Sequence, residues 1–146
     1  MKVTLAQSED LAEVSILFDR YRVFYNQLSD LEAARSFLQQ RFDRKDSTIL
    51  IARNWEQIVG FTQLYPSFSS VSMNRVWILN DLFIDEPYRN QGIARLLMGA
   101  AENFARETAA TRIILSTQVA NLPARSLYRS LGYVENEDFE HYALPL

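Results

Sequence analysis

A mixed α/β fold, one mixed sheet with helices on its faces, is what this 146-residue sequence predicts. Three observations carry that expectation. Apolar residues recur every three or four positions over residues 11–25 and again from Ile93 to Ala105, the spacing of one helix face. β-rich runs occupy Thr48–Ala52, Ile58–Tyr65 and Arg75–Ile84, and the two kinds of segment alternate along the chain. No run of Gly, Ser or Pro is long enough to act as a linker, so residues 1–146 are expected to form a single domain. Its composition, 48% hydrophobic and 12% aromatic, is sufficient to fill the core of a domain this size without a disulfide or metal.

A short strand around Val3–Leu5 leads past Ser8 to Leu11, Val14, Leu17, Phe18, Tyr21 and Tyr25, which share a helix face. Ser29 and Glu32 stand in the S-x-x-E relation of a capping box ahead of Ala33, Ala34, Phe37 and Leu38 and so predict a second helix. The runs Thr48–Ala52 and Ile58–Tyr65 flank a tight turn and read as a hairpin. A further strand over Arg75–Ile84 is stopped by Pro87. The helix from Ile93 presents Leu96, Leu97, Ala100, Ala101, Phe104 and Ala105. Arg112–Thr117 reads as the next strand. Asn121 can cap a last helix, with Pro123 in its first turn and Gly132 ending it after Leu131. Tyr133–Glu135 and Phe139–Leu144 are expected to add two short strands.

Composition narrows the chemistry. With no cysteine there is no thiol nucleophile, thiolate zinc site or disulfide, and a single histidine, His141, cannot build a His-based metal cluster. No metal site is expected. Net charge is −3, with 18 acidic against 15 basic residues and no basic block, so nucleic acid is an improbable partner, while a cationic substrate suits the surface. The opening "MKVTLAQSED" turns polar early for a signal peptide, and no apolar run reaches membrane-spanning length. A soluble, cytoplasmic protein without membrane partners is the expectation.

The stretch "PYRNQGIARLL" carries the function. A strand running through a short turn into a helix presents unpaired N–H groups and the positive end of the helix dipole, an anion site. Each such contact contributes about 0.3–1 kcal/mol when exposed, so several amides must converge on one diphosphate. Gly92 suits that turn either by leaving room for the phosphates or by supplying a positive φ. No G-K-[ST] follows it and no second or third glycine accompanies it, which excludes a P-loop and a G-x-G-x-x-G dinucleotide turn.

Two motifs resemble those of the GNAT superfamily of acetyl-CoA-dependent N-acetyltransferases. Arg89-Asn90-Gln91-Gly92-Ile93-Ala94 is similar to the family's [RQ]-x-x-G-x-[GA] signature and directly follows the strand "NDLFI". Asn121, Ala124, Leu127, Tyr128, Gly132 and Tyr133 match its N-x-x-A-x-x-L-Y-x-x-x-G-[FY] signature. The resemblance implies a central, mostly antiparallel twisted sheet, splayed at the cofactor site, with helices on both faces. It implies acetyl-CoA as acyl donor, with Leu82, Phe83 and Ile84 along the pantetheine arm. Main-chain groups of Arg89, Asn90, Gln91, Gly92, Ile93 and Ala94 would take the pyrophosphate, Arg95 would add charge, and Asn121 would combine its N-cap with a cofactor contact.

By pattern alone Tyr128 sits at the edge of a buried face made by Ala124, Leu127 and Leu131; the resemblance makes it the general acid that protonates the departing CoA thiolate. An amine of pKa ~10.4 is neutral in only about 0.04% of molecules at pH 7, so a base is also needed. Alternation puts Asn80 and Asp81 on opposite faces of their strand. Asp81 is the one that can titrate, as base directly or through a water; a solvated or structurally paired aspartate is the other reading. Polyamine- and histone-type members resemble this strand, with a glutamate where Asn80 stands. Leu64–Ser70 is expected to be a loop that lines the acceptor pocket or a homodimer seam, packing on the protein's own core being the other reading. The acceptor is then a small-molecule or peptide amine. The alternative function is a non-catalytic acyl-CoA-binding or regulatory module.

Overall fold

The structure, a computed structural model, describes all residues from Met1 to Leu146. It comprises two compact units, Met1–Leu115 and Ser116–Leu146.

The first unit holds one five-stranded sheet in the order β1-β2-β3-β4-β5: Lys2–Leu5, Thr48–Asn54, Gln57–Ser69, Asn74–Ile84 and Arg112–Ile114. The first four strands pair antiparallel, and β5 lies parallel to β4 through three residues only, Val76 with Arg112 to Ile78 with Ile114. β5 is thus shorter than the predicted Arg112–Thr117. Helices α1 (Leu11–Phe24) and α2 (Leu31–Arg44) cover one face, where Val14, Leu17, Phe18, Ala34 and Leu38 are packed with Ile49, Ile51, Phe61 and Phe83. By strand alternation the neighbours of those residues face α3 (Ile93–Glu107) on the other side. Gly60 sets how closely α3 and β4 approach. A Cβ there would lie 2.7 Å from Ile84 Cδ1, 3.0 Å from the Phe83 carbonyl oxygen and 3.4 Å from Leu97 Cδ1, so only glycine fits without a shift.

The start of α2 differs from the capping box expected at Ser29 and Glu32. Its N-cap is Asp30, whose carboxylate accepts the Ala33 N–H at 3.0 Å. Ser29 is claimed instead by Asp19 of α1: its hydroxyl donates to Oδ2 at 2.6 Å, and the Asp30 N–H donates to Oδ1 at 2.7 Å. The two bonds to Asp19 hold Ser29 and the Asp30 N–H against α1, and the free N–H of the helix start is accepted one residue later by the Asp30 carboxylate. The Ser29 hydrogen bond, with help from the Asp30 N–H and the Arg22 charge, holds Asp19 below its ordinary value of 3.8 against the opposing effect of burial. A depressed folded-state pKa gives stability that is present above the unfolded value and lost as pH falls through the folded one. Asp19→Asn is therefore expected to cost about 1–3 kcal/mol at neutral pH, the usual penalty for breaking hydrogen bonds to a buried charge. The gap from wild type should close in strong acid; urea denaturation from pH 7 to pH 2 measures it, and a constant gap would show that Asp19 contributes packing alone.

Leu64–Ser70 is not a loop. β3 continues through it to Ser69 and stays paired with β4, Pro66 opposite Trp77 and Phe68 opposite Arg75. β2 ends opposite Leu64, so Pro66 lies where β3 has an open edge and its missing N–H leaves no gap in a ladder on that side.

The second unit contains α4 (Leu122–Ser130), with Pro123 in its first turn and the side chain of Asn121 accepting the Ala124 N–H at 3.3 Å. The predicted strands at Tyr133–Glu135 and Phe139–Leu144 do not form. Residues 134–146 are exposed and bond locally, Asp138 N–H to Asn136 Oδ1 and the Tyr142 hydroxyl to Glu140. A short β-prone run needs a neighbouring strand to complete its hydrogen bonds, and pattern alone does not supply one.

Candidate active site

The site is built on the C-terminal half of β4. Asp81 pairs with Gln63 and Leu79 with Leu64, so Asn80 is one extra residue in β4, a β-bulge. Beyond it the Asp85 N–H donates to the Val59 carbonyl at 2.9 Å, and the Asp81 carbonyl accepts the Thr62 hydroxyl at 2.8 Å. By alternation, Asp81 and Phe83 turn their main chain toward β3, and Leu82 and Ile84 turn theirs toward the opposite edge. β5 stops opposite Ile78. From Leu79 to Ile84, therefore, that outer edge carries no paired strand.

The turn after β4 aims the start of α3. Asp85 accepts the Glu86 N–H at 3.2 Å and the Arg20 guanidinium at 2.8 Å. Arg89 folds back over the strand, its Nε–H donating to the Ile84 carbonyl at 2.9 Å and its guanidinium lying 5.4 and 5.3 Å from the rings of Phe24 and Phe83. Asn90 and Gly92 have φ of 61° and 79°. Gly92 is the N-cap of α3, so the positive φ expected of it is present, and a Cβ there would meet nothing within 4 Å. Unlike α2 and α4, α3 has no side-chain cap, and its first turn holds no acidic residue. Gln91, Ile93, Ala94 and Arg95 complete the turn, with Ile93 buried and the side chain of Arg95 exposed. This is a dipole end with open space before it, suited to an anion.

Asp81 is 4% exposed and ringed by donors. Gln63 Nε2 donates to its Oδ2 at 2.9 Å and Asn80 Nδ2 to its Oδ1 at 3.0 Å. The latter contact departs from the expectation that Asn80 and Asp81 face opposite ways; the bulge breaks the strict alternation and lets neighbouring side chains meet. Tyr21 of α1 lies within reach of the Asp81 charge. Burial first, and then the Asp81 charge, push the Tyr21 phenol far above its ordinary value. The same two causes push Tyr65 up to about 12. Tyr21, Gln63 and Tyr65 were not singled out as site residues by pattern. The one available signal was Gln63, a polar side chain inside the apolar run "IVGFTQLY".

Within the second unit, Tyr128 is half-buried on α4, its ring 5.9 Å from that of Tyr133, and Asn121 caps the same helix. Asp81 and residues 82–95 belong to the first unit.

A β-bulged strand with an open edge runs into a helix start without a side-chain cap, a scaffold suited to an extended ligand that ends in an anion. The chain belongs to the acetyltransferase (GNAT) family, whose profile matches residues 13–133, and it is an acyltransferase. It is 45% identical over 144 residues to the uncharacterized N-acetyltransferase YhfO of Bacillus subtilis (strain 168), covering 99% of this chain and 97% of that one. A probable acetyltransferase of Haemophilus influenzae is 30% identical over 115 residues, 78% of this chain and 79% of its own. The crystal structure of a probable acetyltransferase superposes with a TM-score of 0.95 at 44% identity, covering 100% of this chain and 98% of that one.

Proposed function

We propose that the protein transfers an acetyl group from acetyl-CoA to a primary amine, of a small molecule or a peptide, by direct attack on the thioester. The observation that carries this reading is the open β4 edge at Leu82 and Ile84, which leads into the uncapped amides of α3 with buried Asp81 on the same strand. Acetyl-CoA brings a thioester carbonyl and a thiol leaving group. The main-chain groups of Leu82 and the N–H of Ile84, whose carbonyl already accepts from Arg89, would satisfy the amides of its arm as a further strand would. The first-turn amides of α3, with Gly92 leaving their approach clear, would hold the diphosphate. Asp81 would attract a cationic amine and take its proton, directly or through a water. The Tyr128 hydroxyl would give its proton to the departing sulfur, the role its motif position implies. No covalent acyl-enzyme is required, in keeping with the absence of cysteine.

A single catalytic domain over residues 1–146 is part of the proposal, since the family match spans both units. Cytoplasmic placement is also proposed; no helix is long and apolar enough to cross a membrane. Acetyl-CoA and CoA are expected to raise the melting temperature. Thiol release from acetyl-CoA is expected with at least one of spermidine, lysine methyl ester, free amino acids, an aminoglycoside and a peptide α-amine. Binding of CoA with no release toward any of them would make the protein an acyl-CoA-binding module, and no binding at all would remove the cofactor assignment.

A further inference from the structure

Gln63 is fully buried in the middle of β3 and has no role in the steps above. A primary amide in a dry core is costly unless both of its ends are bonded, and an apolar residue of similar size would pack there without that cost. Both ends of Gln63 are in fact bonded. Its Nε2 donates to Asp81 Oδ2 at 2.9 Å, and its Oε1 accepts the Ser47 hydroxyl at 2.9 Å. An ionised carboxylate only accepts hydrogen bonds, so the amide must turn its NH₂ to Asp81, and the rotatable Ser47 hydroxyl then serves the remaining oxygen.

We propose that Gln63, braced by Ser47, is a positioning residue that fixes the Asp81 carboxylate for proton transfer from the acceptor amine. The inference rests on the acid–base role proposed for Asp81. Asn80 holds the other oxygen from an exposed position on the bulge, so Gln63 is the rigid arm of the pair. Gln63 and Asp81 lie opposite one another in the β3–β4 register, beside the bulge, which puts both side chains on one face. The other ionisable groups around the carboxylate are Tyr21 from α1 and Tyr65 from β3, with Arg41 and Asp46 acting on Tyr65. A carboxylate released from Gln63 can rotate away from the reacting nitrogen, and a misplacement near 1 Å costs about 10²-fold in rate.

The test measures kcat and KM across pH 6 to 9, with acetyl-CoA and the best acceptor of the panel above. It compares wild type, Gln63→Met, Gln63→Glu, Ser47→Ala, Asp81→Asn and the double variant Gln63→Met with Asp81→Asn, each checked for folding by thermal melting. Gln63→Met keeps the volume and is expected to lower kcat about 10–100-fold, leaving KM for acetyl-CoA unchanged. Gln63→Glu places two carboxyls side by side, which disfavours ionising both and moves the acid limb of kcat to higher pH. The double variant should be no slower than Asp81→Asn, because the arm acts only through the carboxylate. A folded Gln63→Met with wild-type kcat, or a double variant whose losses multiply, overturns the positioning role while the role of Asp81 stands. Should Gln63→Met fail to fold, Ser47→Ala decides: a several-fold fall in kcat supports the arm, and wild-type kcat overturns it. Wild-type kcat in Asp81→Asn removes the acid–base reading and the inference with it.

Discussion

Gly92→Asp is expected to abolish the rise in melting temperature that CoA and acetyl-CoA give the wild-type protein. Gly92 sits in the left-handed region at φ 79°, at the N-cap of a helix with no other cap. Its Cβ direction is open, so a side chain placed there enters the space in front of the α3 amides rather than the protein's own core. An aspartate puts a carboxylate into that space, where it caps the amides itself and repels a diphosphate. The positive φ is tolerated by Asp and Asn at a cost of about 1–2 kcal/mol, too little to unfold the domain. Gly92→Asn separates the two effects: it has nearly the same shape and strain without the charge, and should weaken CoA binding less. Calorimetric titration with CoA checks both variants. Unchanged CoA affinity in a folded Gly92→Asp protein would place the diphosphate elsewhere.

Tyr128→Phe is expected to leave CoA affinity intact and lower kcat by roughly 10²–10⁴-fold, the range for loss of a positioned general acid. The substitution deletes one oxygen. The ring contact with Tyr133 at 5.9 Å survives the substitution. The readout that separates chemistry from structure is the leaving group: an acetyl donor with a more acidic thiol needs less protonation and should recover part of the lost rate. Wild-type kcat in Tyr128→Phe would leave Tyr128 as a packing residue.

Elements whose signals are local were legible in the sequence. The helix faces over residues 11–25 and 93–105 follow from a period that a single amphipathic helix must show when one side is buried. The β2–β3 hairpin and β4 follow from β-rich runs bounded by breakers, and Gly92 followed from a turn into a helix, where its positive φ is found. Expectations failed where distant parts of the chain compete. The S-x-x-E pattern at Ser29 was a genuine capping signal, yet Asp19 reaches the hydroxyl first. Leu64–Ser70 was expected to be a loop, but β4 supplies a pairing partner from Leu64 to Ser69. The two C-terminal runs had β propensity and no neighbouring strand.

The order of elements, the turn from β4 into α3 and the two family motifs were determined by the sequence itself, because each depends on residues within a few positions of one another. The surroundings of Asp81 were decided only in three dimensions. The bulge at Asn80 arises from how β3 and β4 register, and the Gln63 amide arrives from a strand position 18 residues away. A carboxylate recruits whichever donors the fold brings within about 3 Å, and nothing in local spacing records which those will be.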